Sequence, residues 1–289
     1  MKAVPVMSTI LRWRNLAFIV LILLLLAFPY GPLFPWSPVH PGYNTLRFDR
    51  ADVIHPSGTE LPDAYRHVDE YIARSERFHR LPVKSRLTVV LCGNWSDVRR
   101  FVLHPRAMLL AGATLPMGTI VYITPKVQEK NLDAGEFLRH EISHATLQQN
   151  QTLFAAVRMV RQEWFAEGLA VSFGEQKAFV TPEEFIAVAR AQDLGPIIDP
   201  AQRRLAPQPY NMRLGYQAWR YFLEYLIDTR GRDRFQQYLT AYMARPTEYR
   251  QLFAEAYGVS LPDAIKRFEN GIRADRWKPD PEFAAKQER

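Results

Sequence analysis

His140-Glu141-Ile142-Ser143-His144 is the stretch that decides how this chain is read. Histidines four residues apart share a face only on a helix, where their Cβ atoms stand about 5–6 Å apart and both imidazoles can reach one metal ion. The flanking residues predict that helix. Asp133 stands as its N-cap with Glu136 three positions on, close to a capping-box pattern. Phe137, Leu138, Ile142, Ala145 and Leu147 suit a helix packed on most sides. Glu141 is turned about 100° from His140. It flanks the metal without having to bind it, where a carboxylate can take a proton from a metal-activated water. The competing reading is two core or solvated histidines beside a surface glutamate.

A catalytic zinc has three protein ligands and one open position. Cys92 is the single cysteine, so a thiolate site and an intrachain disulfide are both excluded. It lies in a strand-like apolar run and reads as a small buried hydrophobe. No histidine follows His144, which excludes a downstream third histidine. His40, His55, His67, His79 and His104 sit in charged or loop-like settings and read as surface residues. A carboxylate is then the expected third ligand. Residues Leu153 to Phe173 read as a second helix with an apolar stripe through Val157, Val160, Trp164 and Val171. Glu167 lies on that stripe and Glu163 one turn earlier. A carboxylate on a buried face needs a partner or a metal, and spacing alone leaves both candidates open.

At these residues the chain resembles the gluzincin peptidases, thermolysin-like and aminopeptidase-like zinc enzymes. Their signature is H-E-x-x-H followed by a helix carrying W-x-x-E-G, here Trp164-Phe165-Ala166-Glu167-Gly168, then Leu169 and Ala170. The resemblance implies that Glu167 is the third zinc ligand, with Glu163 as a group orienting a ligand. The aminopeptidase spacing is the one Glu163 meets, with 18 intervening residues, whereas 22 separate His144 from Glu167. A longer loop between helices absorbs that difference at small entropic cost. The segment from about 119 to 270 also resembles small bacterial proteins called peptidase MA-like. In those, a strand precedes the active-site helix and an aromatic-rich helix follows, here Leu214 to Leu226 (LGYQAWRYFLEYL). Thr229-Arg230-Gly231-Arg232 and Phe253 to Leu261 (FAEAYGVSL) continue that likeness. The gluzincin resemblance implies a peptidase in which Glu141 is the general base and, as in the related aminopeptidases, a tyrosine is the oxyanion donor, here Tyr216 with Tyr210 as substitute.

Working outward, Thr45 to Ile54 reads as an exposed strand and Leu61 to His79 as a helix with Pro62 in its first turn. Arg86 to Leu91 and Thr119 to Ile123 are β-branched, apolar strands with a short helix, Trp95 to Leu103, between them. From Asp133 onward the spacing is helical, and the tail after Trp277 reads as polar and frayed. The expected fold class is α+β: a small mixed sheet with packed helices followed by a helical half, which the resemblance makes a thermolysin-like zincin fold. The strand Thr119 to Ile123 is expected at the sheet edge, where an extended peptide can pair. Residues Met108 to Thr124 contain no acid to hold a free amino terminus, which favours an endopeptidase.

At the N-terminus, Leu16 to Phe28 (LAFIVLILLLLAF) is unbroken and apolar, and no charge appears from Asn15 to Trp36. That length suits one membrane-spanning helix. Lys2, Arg12 and Arg14 precede it and the next base is Arg47, which places the N-terminus in the cytoplasm and the catalytic domain outside. The bulky residues after the apolar core do not suit a signal-peptidase site, so a retained anchor is expected. Pro29 to Pro41 reads as a stiff linker. The expected division is 1–15 cytoplasmic, 16–36 anchor, 37–130 α/β sheet subdomain, 131–277 helical zinc-site subdomain and 278–289 polar tail. The net charge of +7 is spread without like-charge blocks, which argues against nucleic acid as a partner. The expected partners are a peptide or protein substrate and the membrane. A zinc hydrolase of a non-peptide amide or ester is the runner-up, and a non-catalytic binding protein with this fold comes third.

Overall fold

The computed structural model describes residues 6–102, 107–115, 117–159, 163–177, 179–205 and 212–288. Five strands form one mixed sheet in the order β1-β2-β3-β5-β4. They are β1 (Tyr43–Arg47), β2 (Ala51–Pro56), β3 (Leu87–Leu91), β4 (Gly112–Thr114) and β5 (Ile120–Ile123). β2, β3 and β5 are parallel, and β1 and β4 flank them antiparallel. The single strand expected over Thr45 to Ile54 is a hairpin, β1 turning into β2. Its turn is held from outside, because the Asp69 carboxylate accepts from the amides of Asp49 (2.8 Å) and Arg50 (3.0 Å). The expected edge position of Thr119 to Ile123 is also corrected. β5 is covered by β4, a three-residue strand whose Gly-Ala-Thr sequence carries almost no strand signal.

Side chains alternate across the sheet and build two cores. Ile54, Val90, Ile120 and Tyr122 pack with Phe34 and Phe101 on one face. Val53, Val89, Val121 and Ile123 pack with Val68, Ile72, Leu138 and Ile142 on the other. Cys92 is buried in the first core. That first face carries α3 (Trp95–Phe101), and the second carries α2 (Val68–His79) and α4 (Ala134–Gln149). A 3-10 turn, Asp63–His67, precedes α2 where one helix was expected.

The rest of the described residues are mainly helical. α5 (Glu163–Gly174), α6 (Met212–Arg230), α7 (Arg232–Ala244) and α8 (Leu261–Arg273) share an aromatic core around Trp164, Phe165, Trp219 and Phe222. The expected helix over Leu153 to Phe173 is described as two segments, Leu153–Met159 and Glu163–Gly174. The tail is not frayed: Phe283 and Ala284 are buried, and Arg74 binds the Glu288 carboxylate through Nε and Nη2 at 2.8 and 2.9 Å.

Before the sheet lies α1 (Val6–Tyr30). Its window Trp13–Tyr30 has a mean hydropathy of 1.9 and is 0% buried, long and apolar enough to cross a membrane. The linker expected after it is docked rather than free. Phe34 is fully buried and stacks on Phe101 at 4.1 Å.

Candidate metal centre

The capped helix α4 forms where the sequence puts it. Asp133 accepts from the Glu136 amide at 2.8 Å. The reciprocal half of the capping box is absent, because the Glu136 carboxylate accepts from the Lys177 amide at 3.1 Å instead. α4 and α5 run antiparallel: Gly174 lies against Glu136 and His140, and Glu167 lies against His140 and His144. A Cβ on Gly174 would stand 2.9 Å from the Glu136 carbonyl oxygen, so glycine there lets the two helices meet closely.

The crossing brings three atoms together. His140 Nε2 and His144 Nε2 are 3.1 Å apart, and Glu167 Oε2 is 3.3 Å from the first and 3.5 Å from the second. Zinc bonds of about 2.0–2.1 Å at tetrahedral angles set donor atoms roughly 3.3–3.4 Å apart. The triangle therefore matches one face of such a coordination shell. Glu167 Oε2 is buried with no donor aligned to it, between two imidazole nitrogens that both face it. A buried carboxylate oxygen in that state needs a cation, and the donor set of two imidazoles and one carboxylate is one that zinc takes.

The electrostatics agree. Burial works against charge on His144, yet the Glu167 carboxylate outweighs it and pushes that imidazolium up to about 9. Burial likewise works against charge on Glu167, but the two imidazoles hold its carboxyl well below the usual carboxylate range. Without a metal, the pocket keeps a proton where a cation fits.

Glu141 is buried beside this triangle. Its Oε2 accepts from the Thr114 hydroxyl at 2.7 Å. Gly112 lies so close that a Cβ on it would stand 2.5 Å from Glu141 Oε1. The neighbouring strand β4 thus grips the carboxylate through one hydroxyl and one missing side chain. Gly118, at φ +66°, closes the β4–β5 turn where a Cβ would stand 2.4 Å from the Ala145 carbonyl oxygen of α4. The sequence reading missed Thr114 and Gly112. They stand in Ala111-Gly112-Ala113-Thr114, a run of small residues before a strong strand with no periodic signal of its own.

Two histidines read as surface residues are buried, His55 and His79, while His104 lies outside the described residues. His79 Nε2 is 2.9 Å from Ser143 Oγ, inside the His140–His144 motif, and Ser75 Oγ is 2.7 Å from Thr146 Oγ1. Hydroxyls on the inner face of α4 need partners once buried, and α2 supplies them.

Glu167 is backed by α6. A Cβ on Gly168 would stand 2.9 Å from the Trp219 carbonyl carbon and oxygen, which explains why glycine follows the glutamate. One turn on, Ser172 Oγ and Arg220 Nε donate to Glu224 Oε1 at 2.9 and 2.8 Å in a buried cluster. Tyr216 is half-buried in α6, with its ring stacked on Phe179 (4.8 Å) and edge-on to Trp219 (5.5 Å). The side chain of Glu163 and the whole of Tyr210 lie outside the described residues.

No family model matches the sequence, and none of the curated proteins does. Among solved structures, the chain is similar to an M1 zinc metallopeptidase from Deinococcus radiodurans, at 14% identity and a TM-score of 0.40. That alignment covers 82% of this chain and 53% of the other. A two-domain M1 zinc metallopeptidase mutant bound to L-arginine aligns at 13% identity and a TM-score of 0.36, over 82% and 52%. The chain spans about half the length of the structures it matches.

Proposed function

We propose that this chain is a membrane-anchored zinc peptidase, with His140, His144 and Glu167 holding the metal and Glu141 as general base. One observation carries the reading: two imidazole nitrogens and an otherwise unpartnered carboxylate oxygen lie 3.1–3.5 Å apart, with Glu141 next to them. Zinc bound there would polarise the scissile carbonyl and lower the pKa of water towards 7. Glu141 accepts the proton of the attacking water and returns it to the leaving amine. The phenol of Tyr216 is assigned to the developing oxyanion.

The edge strand supports a peptide substrate. Thr124 N donates to Ala111 O at 2.9 Å and Leu115 N to Ile120 O at 3.0 Å. Odd-numbered positions of β4 therefore bond to β5, and Gly112 and Thr114 turn their N–H and C=O groups to the open edge. An extended chain pairing there lies beside Glu141. The described part of that edge, residues 111–115, carries no acid to bind a free amino terminus, which favours cleavage within a chain.

The test uses the full chain in detergent, with casein as substrate and metal content measured in parallel. One zinc per chain and casein cleavage are expected. Glu141→Gln should keep the zinc and lose about 10²–10⁴-fold in rate, and Glu167→Ala should lose zinc more completely than Glu163→Ala. Casein cleavage that survives Glu141→Gln overturns the mechanism. Hydrolysis of 4-nitrophenyl acetate but not casein would favour a non-peptide ester or amide.

A further inference from the structure

The apolar helix α1 ends at Tyr30, and Phe34 is already part of the domain core. Its ring stacks on Phe101 (4.1 Å) and meets His40 (4.8 Å) and Tyr43 (5.0 Å) edge-on. His40 Nε2 lies 3.1 Å from the Phe34 carbonyl oxygen. Only Gly31, Pro32 and Leu33 intervene, so the Cα atoms of Tyr30 and Phe34 are at most about 14 Å apart. The bond from Phe34 N to Gly31 O (3.0 Å) shortens that further. The end of α1 is thus strapped to the α3 face of the sheet, opposite the face that carries α4.

The surface around this strap has its own character. Tyr30, Trp36 and Val39 are more than half exposed. Arg99 and Arg100 are exposed on the last turn of α3, immediately before the ring that stacks on Phe34. The acids nearby are engaged. Asp97 is buried and accepts from Tyr43 Oη (2.6 Å) and Asn94 Nδ2 (2.8 Å), and Glu129 accepts from Trp95 Nε1 (2.7 Å). Aromatic side chains beside arginines that have no acidic partner among the described residues suit the boundary between lipid headgroups and water.

We propose that the α3 face, with Trp36, Val39, Arg99 and Arg100 around the Phe34 strap, rests on an anionic lipid surface. The domain then has one orientation, with the sheet between the bilayer and α4. Two packed layers of about 10 Å each put the His140–His144–Glu167 cluster roughly 20 Å above the lipid. This rests on α1 crossing a bilayer and not on the peptidase reading.

The experiment places a nitroxide on the full chain at Val20→Cys, Ser96→Cys or Thr240→Cys, one at a time, because Cys92 is buried. Position 96 is on α3, and 240 is on α7, beyond the opposite face of the sheet. Each protein is placed in nanodiscs of phosphatidylcholine with or without phosphatidylglycerol. Relaxation by oxygen is then compared with relaxation by a water-soluble nickel chelate. The label at 20 should favour oxygen in every disc. The label at 96 should be shielded from nickel several-fold more than that at 240, most strongly with phosphatidylglycerol. Arg99→Glu with Arg100→Glu should remove the lipid dependence. Equal nickel access at 96 and 240, with 20 still in lipid, overturns the proposed surface. Nickel access at 20 overturns the anchor on which it rests.

Discussion

Thr114 Oγ1 lies 2.7 Å from Glu141 Oε2 and 3.1 Å from the Glu141 backbone oxygen, so one hydroxyl of the edge strand holds both ends of the same residue on α4. A hydroxyl has one proton, and the shorter contact to the carboxylate takes it. The direction in which the Glu141 carboxylate points is therefore set by the sheet and not by α4 alone. Thr114→Val should lower kcat about 10-fold or more, from loss of a hydrogen bond to a charged group worth about 1.5–3 kcal/mol. KM and zinc content should stay near the wild-type values, and Thr114→Ser should restore most of the rate. A rise in KM at constant kcat would mean that Thr114 acts on the substrate backbone instead.

Zinc uptake should release a proton at neutral pH. His144 is pushed up to about 9 by Glu167 against the pull of burial, so it is protonated in the metal-free protein at pH 7. Zinc needs it neutral. Affinity should rise with pH up to about 9, and calorimetry in two buffers of different ionisation enthalpy should report about one proton released per zinc. No buffer dependence would exclude a protonated His144 in the empty site.

Gly168→Ala tests how Glu167 is placed. Alanine favours a helix by about 1 kcal/mol, but its methyl group would press on the Trp219 backbone, which cannot move aside as a side chain can. A net loss of about 1–3 kcal/mol in stability is expected, together with weaker zinc binding as α5 shifts. Denaturant unfolding with and without zinc reads both effects. Unchanged stability would show that α6 yields at this point.

His79 should contribute a loss of stability on acidification. Burial, followed by the positive charges of Arg232 and His144, holds this imidazole well below its ordinary value. The unfolded chain takes up its proton near pH 6.5 while the folded one does not, so the unfolded state binds more protons below that pH. Stability then drops as pH falls, by up to about 1.4 kcal/mol per unit for this group. His79→Gln keeps a hydrogen-bonding group near Ser143 and should flatten the dependence between pH 7.5 and 5.5. The same slope in both proteins would assign the effect elsewhere.

What was legible in the sequence is local. The N-cap at Asp133, the four-residue spacing of His140 and His144, the buried stripe that carries Glu167 and the apolar length of α1 depend on residues within a few turns of one another. Helical geometry converts such spacings directly into shared faces. Tertiary structure alone decided the rest. Gly112 to Thr114 become the sheet edge because β5 covers one side of them and Glu141 needs a donor. His79 is buried because Ser143 faces it from 64 residues away. Phe34 ends the linker because Phe101 offers it a ring. In each case, burial makes a polar or aromatic group find its partner from a distant part of the chain, and no periodicity records a partner that far away.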